Sequence, residues 1–196
     1  LELLAAATKL LLYVSAFAGA GMPLAAASLG ARLTVLRCSA TGLMRISAAG
    51  VMLSSIAVLV LLVLRLGGDF SSSTLLIILD SPTGVAVALQ LVGALALFLT
   101  AGMATVPGWL RAASGLAILA SFGVNGHAAS ISLTAASLAW AHVCAGAWWF
   151  GAVLLLLRVS KPSELQQFRQ LVETFSTQAL VLVGLLVAAG ACLVLT

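Results

Sequence analysis

Between Asp80 and Arg111, and again between Arg111 and Arg158, the chain carries no aspartate, glutamate, lysine or arginine. Residues 3–26 hold a single charge, Lys9. A membrane-spanning helix needs about 20 consecutive apolar residues, and these intervals supply several. Barrel strands alternate every second residue over about 10 residues; these runs are continuous instead. The pattern predicts an all-α, polytopic transmembrane helical bundle.

Composition supports this. Hydrophobic residues make up 63% of the 196 and charged residues 7%, against about 25% charged in soluble domains. A soluble fold of this length still exposes about a third of its unfolded surface, so lipid must be the solvent for most of it. The lipid bilayer is therefore the first expected partner. The net charge of +4 comes from nine thinly spread cations at the ends of apolar runs, as expected for topology anchors. No nucleic-acid partner is expected.

The expected spans are 3–26, 46–66, 84–104, 109–124, 131–157 and 172–196, six in one membrane domain covering 1–196. Leu75–Leu79 reads as a short interfacial helix, and Asp80-Ser81-Pro82 as a turn and helix start. Pro23 interrupts the first span beside the small residues Ala18–Gly21, which suit close helix contact. Ser54, Ser55, Gln90, Ser176 and Gln178 are expected to hydrogen-bond between helices. Cys38, Cys144 and Cys192 define no disulfide framework. The absence of an initial Met and the apolar end at Thr196 read as a segment of something longer.

Lysine and arginine divide unevenly. Arg32, Arg37, Arg45, Arg111, Arg158, Lys161 and Arg169 fall on one side of the six-span scheme. Lys9 and Arg65 fall on the other. The positive-inside rule puts the N-terminus, the 2–3 connection and Asn125-Gly126-His127 outside.

Two histidines, His127 and His142, lie in or beside the membrane. Ionisable groups there default to a functional reading, and imidazole is a common metal ligand. A hydrogen bond between helices is the competing reading. His142 lies about 16 Å along the fifth span from Ile131. Straight helices would keep the two rings too far apart for one ion, which leaves two stations on one path. His142 shares a face with Leu138, Gly146 and Trp149, and Cys144 points elsewhere. Met22, Met52 and Met103 fall in the inner half, and thioethers favour Cu(I); core packing is the alternative. No catalytic set, nucleotide-binding loop, HExxH or CxxC is present, so no enzyme is expected.

Gly126-His127-Ala128-Ala129, the run from His142 through Trp148-Trp149-Phe150-Gly151, and Phe175-Ser176 opening the next apolar stretch resemble, in that order, the bacterial copper resistance D family of inner-membrane proteins. Ile78–Gly84 is similar to a recurring turn of that family. The likeness covers Ser121–Gly190. Ala152 stands where members often have a second glycine, and members are usually longer, with about eight spans. The resemblance implies copper uptake or transfer (copper homeostasis and resistance) at the bacterial inner membrane, beside a periplasmic copper-binding protein. It assigns His127 and His142 as ligands for Cu(I) or Cu(II), with Trp149 in support. A b-type cytochrome with bis-histidine haem, or a non-transporting scaffold subunit, are the alternatives. The residues do not specify an oligomeric state.

Overall fold

The computed structural model describes residues 1–29, 37–68, 70–125, 132–158 and 165–195. His127, Arg32, Asp69, Lys161 and Glu164 lie outside the described residues. Seven helices follow one another, with no strand among the described residues: α1 Glu2–Leu29, α2 Arg37–Arg65, α3 Ser72–Leu79, α4 Pro82–Thr100, α5 Gly108–Val124, α6 Leu133–Leu156 and α7 Leu165–Leu195. Five of them, α1, α2, α4, α6 and α7, are long and apolar enough to cross a membrane. The chain is thus an all-α helical bundle of multi-pass type.

The six expected spans correspond to α1, α2, α4, α5, α6 and α7, with α5 short, as its expected bounds 109–124 already made it. Helix α5 has 17 residues, about 25 Å, which falls short of a hydrocarbon core of about 30 Å. Pro107-Gly108 before it and Asn125 after it limit its length. The short helix expected at Leu75–Leu79 is present as α3, starting three residues earlier, and Ser81 begins α4 as read from the sequence. Ser81 Oγ accepts from the Gly84 amide at 3.2 Å and donates to the Ile78 carbonyl at 2.6 Å, while Pro82 fills the first helical position, where its missing N–H costs nothing. Helix α2 ends at Gly67 and Gly68, both with positive φ. The Gly68 amide reaches back to the Val63 carbonyl at 3.0 Å, the left-handed termination that glycine permits.

Helices α1, α2, α4 and α5 pack in a ring, each against the next and α5 back against α1. Helix α6 lies outside the ring along α1, and α7 packs mainly on α6. The ring is closed at its centre by Ala16, Ala48, Val51, Ala94, Leu97 and Ile118, all fully buried. Small residues let the helices approach. A Cβ on Gly21 would collide with the Ala147 carbonyl, and one on Gly151 would collide with Gly21. The α1–α6 crossing is therefore a backbone-to-backbone contact, the geometry that small residues favour in membranes. The close helix contact expected at Ala18–Gly21 is met there.

The ends of the bundle differ. At one end, Glu2 of α1 pairs with Arg65 of α2 at 2.8 Å. At the other, the Arg45 guanidinium stacks 5.8 Å over the Phe98 ring. Arg111 closes the chain after α4: its Nε donates to the Thr100 carbonyl at 3.2 Å, and its Nη2 to those of Met103 and Val106 at 2.8 and 3.0 Å. Cations suit a helix C-terminus, where the carbonyls lack intrahelical partners.

Candidate functional site

At the Glu2–Arg65 end the four-helix ring opens into a cavity of about 690 Å3, within the range of small-molecule sites. Lys9, Leu12 and Tyr13 face it from α1, Val58 from α2, and Gln90 and Ser121 from α4 and α5. Thr83 and Asn125 line its rim, with Thr83 Oγ1 3.5 Å from Asn125 Oδ1.

A polar bridge floors it. The Gln90 side chain, from α4, reaches Ser121 Oγ of α5 through Nε2 at 2.9 Å. On its other side, Ser55 Oγ of α2 lies 2.8 Å from Gln90 Oε1. All three residues are buried. Ser55 also stands 2.7 Å from the Val51 carbonyl, and Ser121 donates to that of Ile118 at 2.7 Å. One hydroxyl carries one proton, so Ser55 serves either Gln90 or its own helix at a given moment. The glutamine amide has two hydrogens, and one is engaged among the described residues.

The sequence singled out five polar positions for bonds between helices. Ser55 and Gln90 make them, and Gln178 Nε2 donates across to the Ser28 carbonyl at 3.2 Å. Ser54 does not: its hydroxyl bonds the Gly50 carbonyl of its own helix at 2.7 Å, because a serine in a helix can always reach back one turn. Ser176 is exposed.

One wall is aromatic. Tyr13 stacks on Phe122 with centroids 5.2 Å apart, and Phe17 meets the same ring edge-on at 6.5 Å. Lys9 lies seven residues inside α1 from Glu2, about 10 Å. Ser55 lies ten residues inside α2 from Arg65, about 15 Å. Among the described residues no carboxylate pairs with Lys9: the ion pairs are Arg65–Glu2 and Arg169–Glu173.

His142 is exposed and is not among the residues that line the cavity. His127 lies outside the described residues, two positions beyond Asn125. Of the tandem tryptophans, Trp149 is 47% exposed and Trp148 is 7% exposed. Trp148 donates from Nε1 to Ser28 Oγ at 2.7 Å and stacks on Phe175 with centroids 5.8 Å apart. Trp148 thus ties α1, α6 and α7 together, while Trp149 points outward. Met22 is buried near Trp148, Met52 packs against the central plug, and Met103 is exposed beyond α4. The three thioethers belong to different parts of the bundle. Among the described residues no group of three or more His, Cys, Asp or Glu comes together that could hold a metal.

The sequence contained the signals for the cavity without joining them. Lys9 is the lone charge in the first span, and Gln90 is the lone amide in the third. Only packing puts them around one space. The chain matches no family model, no curated protein and no solved structure.

Proposed function

We propose that this chain is a solute-handling membrane protein that receives its solute from the outer side, and that the solute is copper captured by His127. The observation that carries the reading is that Asn125 lines the cavity rim, two residues before His127. The N-terminus-out orientation from the charge rule makes that rim the outer one, and the local likeness to copper resistance D proteins supports copper as the cargo. The buried plug below Gln90 makes the cavity a one-sided vestibule, so passage requires the ring helices to separate.

In this reading His142 is not the next station of a path through the ring. It is exposed and outside the cavity lining, so any copper it takes is held apart from the vestibule, at a position where a partner subunit or further helices could add ligands. His127 is the deciding residue of this reading. Copper stoichiometry of the purified chain and cellular copper accumulation test the reading. His127→Ala is expected to lose the bound ion and the accumulation, and His142→Ala to change them less. Unchanged values in both variants would overturn it.

A further inference from the structure

A lysine well inside a spanning helix is costly unless it lines a water-filled space or meets an opposite charge. Lys9 lines the cavity and has no carboxylate partner among the described residues. The polar lining continues in neutral groups, namely Thr83, Asn125, Gln90 and Ser121, and among the described residues Lys9 is the one charged member of it. Between these lie apolar and aromatic surfaces from Leu12, Val87 and Phe122. The arrangement is one positive charge, a glutamine amide with one hydrogen not engaged among the described residues, and an apolar wall.

From this we propose that the cavity is a binding site for a small monocarboxylate with an apolar body. A single negative charge matches the single ammonium. A dianion would meet only one positive charge among the described lining residues. A bare inorganic anion would leave the apolar wall wetted, whereas an organic body removes that surface from water. An organic ammonium of the same size finds no opposite charge among the described lining residues. The proposal is independent of copper: it uses none of the histidines, and it stands whether or not His127 takes a metal.

The test is carried out on the full chain in phosphatidylcholine nanodiscs with chelator present, so that no copper contributes. Benzoate is the probe, and benzylammonium, with the same ring and opposite charge, is the control; binding is read by calorimetry and by displacement of labelled benzoate. Benzoate is expected to bind, benzylammonium to bind at least about tenfold more weakly, and Lys9→Gln to weaken benzoate about tenfold or more, the scale of a hydrogen bond to a charged group. Lys9→Arg keeps the charge and is expected to restore most of the affinity, which separates a binding role from a folding one. His127→Ala is expected to leave benzoate binding unchanged. Absence of benzoate binding, equal binding of benzylammonium, or equal affinity in Lys9→Gln would each overturn the proposal. So would loss of the benzoate signal when phosphatidylglycerol is added to the discs, because the site would then belong to a lipid headgroup.

Discussion

Helix α1 and helix α7 are both long apolar helices, yet they live in different surroundings. More than half of the spanning window of α1 is buried by neighbouring helices, and none of the corresponding window of α7 is. Helix α1 touches α2, α5 and α6 and carries Ser15, Ala16, Ala20 and Gly21 into those contacts. Helix α7 presents Leu180, Val181, Leu185 and Val187 outward. In a bilayer both are acceptable, since lipid tails are as apolar as leucine and sequence hydrophobicity does not distinguish them. What separates the two is where the small residues meet a partner: Gly21 of α1 lies against Ala147 and Gly151, whereas Gly184 of α7 has nothing within 4 Å of an added Cβ.

The sharpest way to break that contrast is to put bulk on each side of it. Gly151→Val at the α1–α6 crossing is expected to abolish most folded protein, because its Cβ meets the Gly21 backbone, which cannot give way. Gly184→Val on α7 has nothing within 4 Å of its added Cβ and is expected to fold normally. The recovered monodisperse fraction in detergent measures both. Equal yields would mean that the α1–α6 contact does not govern assembly.

A smaller effect is expected at the polar floor. Gln90→Leu removes both bridges from the ring, and Ser55 and Ser121 then fall back on their own helices. The expected loss is ~1 kcal/mol, near the usual worth of bonds between membrane helices, read as a shift in the denaturant midpoint for unfolding in mixed micelles. A loss below the noise would show that the ring is held by packing alone.

The tandem tryptophans give the next comparison. Trp148→Phe forfeits the bond to Ser28 and is expected to cost ~1 kcal/mol. Trp149→Phe on the exposed face is expected to lie within about 0.5 kcal/mol of the parent. The same unfolding midpoint resolves them, and a reversed order would contradict the seating of α6. Smallest of all, Val181→Ala on the outward face of α7 is expected to change stability by less than about 0.5 kcal/mol.

Much of the architecture was legible because its causes are local. The uncharged runs marked the long helices, and Ser81-Pro82 marked the start of α4 through capping chemistry that acts within three residues. The candidate site was less legible. His142 and Trp149 stood out as unusual residue types in an apolar helix, but residue type carries no information about which way a face turns. The resemblance drew attention to Trp149, whereas packing buried Trp148. Lys9, Gln90 and Ser121 come from three separate helices, and no sequence period connects them.

The sequence by itself determined that this chain is helical and bound for a bilayer, because backbone groups in hydrocarbon must be satisfied within each helix and the apolar runs leave few other options. Tertiary structure alone decided which helices form the ring, which tryptophan is enclosed and where the space opens. Those outcomes depend on close approach between distant glycines and serines. The energy of such contacts exists only once two helices meet.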